Sequence, residues 1–277
     1  MHSNVLHGNV CLITGATDGI GKATARELAR QGATVVGTGR NPEKTERVLA
    51  EIKRDSGSDD VNFLLADLAE MDQVRALAAE FRSRYDRLDV LVNNAGAMFP
   101  TRGETVDGFE QTFALNHLAY FLLTNLLLDM LIASAPARVI SVSSDSHRRG
   151  KINFNDLQRK RSYSGWGAYG DSKLANVLFS NELARRLAGT GVTSNALHPG
   201  LVATNFFDNA GIPPMGGVTP EDGAETMLYL ATSPEVEGVT GRYYVDSRER
   251  EPVAAAQDMD VARRLWDVSA EMVGLGE

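Results

Sequence analysis

Short apolar runs alternate regularly with longer helical patterns along this chain, and that alternation restricts its possible folds more than any other feature. Strand candidates are NVCLITG (9–15), TVVGTGR (34–40), VNFLLAD (61–67), DVLVNNAG (89–96), ARVISVSS (137–144), VTSNALHPG (192–200) and GRYYVD (241–246). Between them lie helix-like stretches at 19–31, 42–54, 70–86, 107–133, 168–189 and 220–232. A β–α repeat of this kind predicts an α/β protein, a doubly wound parallel sheet with helices on both faces. The early strands read as nearly continuous apolar runs, which suits strands covered on both sides. No tandem repeat or low-complexity linker interrupts the 277 residues, so the expectation is one domain over 1–277, and 43% apolar residues supply a large core.

Charge and cysteine content remove several classes of function. A net charge of −8 argues against a nucleic-acid surface. Cys11, the only cysteine, excludes an internal disulfide and a CxxC metal site. It lies within VCLIT, where a buried, inert thiol is expected. No close His/Cys/Asp cluster predicts a metal. The N-terminal MHSNVLHGNVCLITG lacks the pattern of a signal peptide. Leu118–Ala133 (LAYFLLTNLLLDMLIA) carries Asn125 and Asp129 and is too short to span a bilayer comfortably, so a buried helix is expected. The resulting expectation is a cytoplasmic protein with no membrane anchor. Residues 205–219 (NFFDNAGIPPMGGVT) predict a mobile loop over a pocket, and DVARRLWDVSAEMVGL predicts an amphipathic C-terminal helix.

TGATDGIG, Thr14–Gly21, follows the first strand and opens the first helix. Glycines there permit a tight turn and close backbone approach, and a helix N-terminus offers free N–H groups to a pyrophosphate. Gly15, Thr17, Asp18, Gly19, Ile20 and Gly21 are therefore candidate dinucleotide contacts in a Rossmann-type fold. The second strand ends in Gly39–Arg40 where many NAD-binding folds place an acid that would repel a 2′-phosphate. Arg40 and Lys44 instead favour that phosphate, and hence NADP(H). Asp67 and Leu68 close the third strand, and Asn93, Ala95 and Gly96 close the fourth, where ligands of such sheets bind.

In GWGAYGDSKLAN, Tyr169 and Lys173 stand four residues apart and would share one face of a helix. An ammonium beside a phenol favours the phenolate and lowers its pKa. His147 and His198 raise the possibility of a Ser–His hydrolase acting through Ser144, but no G-x-S-x-G elbow surrounds that serine.

Taken together, TGATDGIG, NNAG, Asn116, Ser144, YGDSK and HPG resemble the short-chain dehydrogenase/reductase family, in that family's order and spacing from residue 14 to 204. GKINFNDLQ, YGDSKLANVLFSNELARRL, GVTSNALHPG and ARRLWDVS are similar to its retinol-dehydrogenase-like branch. The resemblance implies catalytic roles for Asn116, Ser144, Tyr169 and Lys173, and it selects Ser144 over Ser143. Tyr169 would exchange a proton with the substrate oxygen, Ser144 would hold that oxygen, and Lys173 would also bind the nicotinamide ribose. Asn116 would break its helix and hold a water that links Lys173 to solvent. Pro199, Gly200 and Thr204 of HPGLVAT would grip the carboxamide end of the cofactor. Residues 9–150 would form mainly the dinucleotide-binding half, and 151–277 would supply the catalytic helix, substrate loop and C-terminal helix. Members of the branch often carry an N-terminal membrane anchor whose pattern is not seen here. Met98, Phe99, Trp166, Phe206, Phe207 and Met215 flank the motifs and suggest a bulky hydrophobic aldehyde, ketone or alcohol as substrate. The family often assembles as homodimers or homotetramers. A protein that senses NADP(H) without turnover is the alternative on the same fold.

Overall fold

The computed structural model describes residues 6–203, 206 and 216–275. Strands β1 (Val10–Ile13), β2 (Thr34–Gly39), β3 (Val61–Leu65), β4 (Val90–Asn93), β5 (Ala137–Val142), β6 (Val192–His198), β7 (Tyr243–Val245) and β8 (Arg248–Arg250) form a sheet of order β3-β2-β1-β4-β5-β6-β7-β8. Pairing is parallel through β7, and β8 closes the edge antiparallel. The sequence gives no sign of β8. Its Arg-Glu-Arg is wholly exposed, so the alternation that reveals a half-buried strand is missing.

Strand β1 shows why the sheet needs two helical layers. Val10 and Leu12 point into one core, with Leu77, Phe81, Phe121 and Leu178. Cys11 and Ile13 point into the other, with Leu28, Val48, Ile52, Met227 and Leu230. Neighbouring strand residues face opposite ways, so a run of four buried residues demands cover on both sides. The first layer is built on α3 (Met71–Arg84), α5 (Ala119–Leu126) and α7 (Gly165–Arg186), and the second on α1 (Gly19–Arg30), α2 (Pro42–Ser56) and α8 (Pro220–Thr232). Helix α9 (Met259–Met272) lays Trp266 edge-on against Phe121 and stacks it on Phe179. Cys11 is fully buried, and desolvation raises its thiol pKa, as expected of an inert cysteine.

Local chemistry sets the helix ends. Asp18 caps α1 by accepting from the Gly19 N–H, and Asn41 caps α2 ahead of Pro42. Thr219 and Asp222 form a reciprocal capping box on α8.

The helix expected over 107–133 is broken. A short α4 (Gln111–Phe113) leads into a π-helical turn (Ala114–Leu118), then α5, then α6 (Leu128–Ala133). The wide turn places Asn116, whose side chain bonds both the N–H and the C=O of Ala97. Such turns tend to occur at functional sites. Among the described residues no helix is long and apolar enough to cross a membrane.

Candidate active site

Strand order reverses at β1, which lies between β2 and β4, so the loops after those strands part and leave a crevice at their carboxyl ends. A cleft of about 760 Å³ opens there, and it runs from the glycine turn to the N-terminal half of α7. Gly15, Thr17, Asp18, Gly19, Ile20, Arg40, Lys44, Asp67, Leu68, Ala95 and Gly96 line one arm. Ser144, Tyr169, Lys173, Pro199 and Gly200 line the other. Thr204 lies outside the described residues.

Close packing holds the glycine turn. Gly15 has φ +67°, and a Cβ there would stand 2.9 Å from the Ala95 Cα. Gly21 does not line the cleft. A Cβ on it would meet the Gly15 carbonyl at 2.4 Å, so this glycine lets α1 close on the turn.

Asn93 also departs from expectation. It is fully buried and donates to Thr124 Oγ1, whereas its neighbour Asn94 reaches the Thr14 carbonyl at 2.7 Å. Thr14 Oγ1 in turn accepts the Asn94 and Ala95 N–H groups at 2.8 and 3.0 Å. Neither Thr14 nor Asn94 is among the contacts expected from the sequence, although Thr14 opens the glycine motif. The alternation of strand β4 would have identified which asparagine faces outward.

At the cationic end, the Arg40 side chain is exposed and only 3.9 Å from Asp67. Lys44 is engaged more tightly, with Nζ 2.6 Å from Asp18. Gly39 could not carry a side chain without displacing its neighbours, because a Cβ would lie 2.2 Å from Thr45 Oγ1.

Tyr169 and Lys173 do share a face of α7, and both are buried. Lys173 Nζ is 5.6 Å from the Tyr169 ring centroid and donates to the Val142 carbonyl at 3.0 Å. In this structure burial, not the neighbouring ammonium, is the largest influence on the phenol. Burial pushes the Tyr169 hydroxyl up to about 12, against a smaller opposing effect from its hydrogen bond with Ser144. The same burial pulls the Lys173 amine down to about 7. Desolvation disfavours the charged form of each group, so it moves the phenol up and the amine down.

The serine pair separates as its spacing suggests. Ser143 Oγ is committed to the Lys173 carbonyl at 2.7 Å, while Ser144 meets the phenol. Asn116 does not line the cleft. Its side chain is held by Ala97 and by Ser172 Oγ, directly behind Gly96.

The remaining wall is apolar. Phe99, Leu115, Trp166, Leu201 and Phe206 line it, and Tyr169 sits between Trp166 (centroids 6.5 Å) and Phe206 (5.2 Å). Met98 belongs to the core instead, and Phe207 and Met215 lie outside the described residues, as does most of the 205–219 loop. Among the described residues no Ser–His nucleophile is assembled at Ser144, because His147 bonds its backbone carbonyl rather than its hydroxyl. His198 lines the cleft with its Nδ1 buried and unpartnered among the described residues.

Comparisons with known proteins identify relatives of nearly the whole chain. A family model for short chain dehydrogenase matches residues 9–212. Retinol dehydrogenase 14 of Homo sapiens is 46% identical over 295 residues, spanning 98% of this chain and 88% of its own length. A crystal structure of an uncharacterized protein from Mycobacterium paratuberculosis is 36% identical, with TM-score 0.80 over 97% of this chain and 94% of that one. A short chain dehydrogenase from Escherichia coli, complexed with NADPH, is 27% identical with TM-score 0.72, covering 88% of this chain and 99% of that one.

Proposed function

The chain belongs to the short chain dehydrogenase family, in its retinol-dehydrogenase-like branch, and from that premise we propose that it is an NADP(H)-dependent oxidoreductase of bulky hydrophobic carbonyls and alcohols. Retinal-like aldehydes, long-chain aldehydes and polycyclic ketones are the substrate classes that fit the apolar wall. Residues 9–150 serve mainly the dinucleotide, and 151–277 bring the catalytic helix and the substrate side. One observation carries the reading. The Tyr169 hydroxyl and Ser144 meet where the glycine-lined arm of the cleft joins the aromatic one.

The residues present suit a dinucleotide. Side-chain-free positions at Gly15 and Gly96 keep backbone at the wall of the cleft, where a Cβ would collide or crowd. Gly15, Thr17, Asp18, Gly19 and Ile20 would hold its phosphates, Asp67, Leu68, Ala95 and Gly96 its adenosine side and middle, and Pro199 and Gly200 its carboxamide end. When bound, the dinucleotide supplies or accepts the hydride. Support for the 2′-phosphate comes from exposed Arg40 and from position 39, where Thr45 leaves no room for a repelling carboxylate. The NADPH complex of the E. coli relative points the same way.

The chain's own work is to manage one proton. Held near 12, the Tyr169 phenol stays protonated through the physiological range and acts as the acid that gives its proton to the substrate oxygen. Ser144 Oγ orients that oxygen, and Lys173, with its amine near 7, is poised to return a proton to the phenol side of the cleft. Phe99, Trp166 and Phe206 exclude water around the reacting carbon. The name of the human relative, a retinol dehydrogenase, supports a lipophilic substrate.

The test is turnover of purified protein with NADPH and NADH against retinal, long-chain aldehydes and polycyclic ketones, beside a Tyr169→Phe variant. The variant should lose about 10²–10⁴-fold in rate while NADPH affinity, read by fluorescence titration, stays unchanged. Undiminished turnover would refute the assignment of the acid, and NADPH binding without any turnover would favour a sensor.

A further inference from the structure

His147 is fully buried three residues after Ser144, and the reaction described so far gives it no role. Its Nδ1 lies 2.7 Å from the Ser144 carbonyl oxygen, which can only accept, so Nδ1 must carry the hydrogen. Its Nε2 faces the Val253 N–H at 3.5 Å, which can only donate, so Nε2 must be bare. Tyr243 Oη also lies 3.5 Å from Nδ1, well beyond the 2.7 Å bond to the carbonyl, so the Ser144 and Val253 peptides select the same tautomer of a neutral ring. Burial favours that neutral form, lowering the imidazole pKa against a smaller opposing effect of the Ser144 carbonyl.

We propose that His147 is a positioning residue for the reaction: its Nδ1–H grips the Ser144 peptide and so fixes the hydroxyl that orients the substrate oxygen. This rests on the oxidoreductase reading above. Ser144 is the N-cap of a 3₁₀ turn, Asp145–Arg149, and its Oγ accepts from the Ser146 N–H at 3.2 Å. The Ser144 carbonyl also accepts the His147 backbone N–H at 3.0 Å. One residue therefore holds that carbonyl twice and leaves the turn a single orientation.

The turn is also packed against the catalytic helix. A Cβ on Gly150 would stand 2.3 Å from the carbonyl oxygen of Gly170, the residue after Tyr169. A rotation of the serine turn would thus shift the hydroxyl relative to the phenol it must meet. On its far side the imidazole lies against Tyr243 (centroids 4.9 Å) and reaches Val253, just beyond β8. The unforeseen edge hairpin and the segment after it thereby become part of the support of the serine. The ion pair Arg148–Asp145 on the same turn is largely exposed and adds little.

Asparagine and glutamine separate the two nitrogens, since an Asn amide can stand in for Nδ1–H and a Gln amide for Nε2. His147→Gln should lower kcat about 10- to 100-fold, the scale of a small misplacement of a reacting group, with NADPH affinity and melting temperature little changed. His147→Asn should restore most of the rate. In a Ser144→Ala background His147→Gln should cost nothing further, because the group it positions is gone. Equal losses in the two variants, or an undiminished loss without the serine hydroxyl, would overturn the proposal.

A readout independent of turnover is the ¹⁵N spectrum of the wild-type imidazole, expected to show a protonated Nδ1 and a bare Nε2. The opposite tautomer overturns the geometry even if His147→Gln fails to fold. Wild-type protein that reduces no carbonyl, but has the expected tautomer, would instead sink the functional reading on which the role depends.

Discussion

Replacing Lys173 with methionine should make this protein more stable, and only at low and neutral pH. Lys173 is 2% exposed, and burial moves its amine from 10.5 to about 7. That gap of about 3.5 pH units, at about 1.4 kcal/mol each, puts the cost of the buried ammonium at about 5 kcal/mol. Below pH 7 both folded and unfolded chains hold the proton, so the folded form bears the whole cost. Between pH 7 and 10.5 the unfolded chain binds a proton that the folded one does not. Wild-type stability then rises by about 1.4 kcal/mol per pH unit from this group. Above 10.5 the contribution is gone.

Methionine keeps a long unbranched apolar chain and removes the charge. It gives up the bond to the Val142 carbonyl, worth about 1 kcal/mol, but that oxygen keeps the Asn176 amide at 3.1 Å. The variant should therefore gain about 3–4 kcal/mol at pH 6 and lose about 3 kcal/mol of that advantage between pH 7 and 9. Urea unfolding of both proteins at four pH values, with m-values compared, reads this directly. Parallel stability curves through pH 7–9 would mean that the ammonium is not desolvated, and the account of Tyr169 and Lys173 would fall with it. Stability sacrificed at one buried charge fits a group kept for function rather than for folding.

Two further outcomes are expected. Arg40→Asp should weaken NADPH by at least about tenfold, the loss of a charge-assisted contact at an exposed side chain, and leave NADH nearly unaffected; isothermal titration with each coenzyme decides, and equal losses would remove the basis for the coenzyme preference. Gly21→Ala should cost about 1–3 kcal/mol by overpacking, since its Cβ would press on the Gly15 carbonyl at 2.4 Å and on Asn94 Nδ2 at 2.5 Å; a melting temperature equal to wild type would show that the turn relaxes freely.

The chain's local patterns carried most of the architecture. The alternating faces of Val10, Cys11, Leu12 and Ile13, the caps Asp18 and Asn41, and the Thr219 box are written in neighbouring residues. Hydrophobic period and turn chemistry act over a few positions, so a sequence displays them openly. The i,i+4 spacing likewise set Tyr169 and Lys173 on one face before any tertiary contact was known.

Other features came only with the folded chain. Thr14 meets Asn94 across 80 residues, and His147 meets Val253 across 106. The break at Asn116 was implied by the resemblance, but the paired bonds to the Ala97 peptide that anchor it are visible only in the fold. The direction in which the phenol and the amine shift depended on how completely the surrounding layers exclude water, a property of packing that no spacing of residues encodes. Sequence alone settled the alternation of strands β1 to β7 with the main helices and the reactive groups they carry. Tertiary structure settled which of those groups face the cleft and how strongly each holds its proton, because desolvation and long-range pairing exist only once distant segments are brought together.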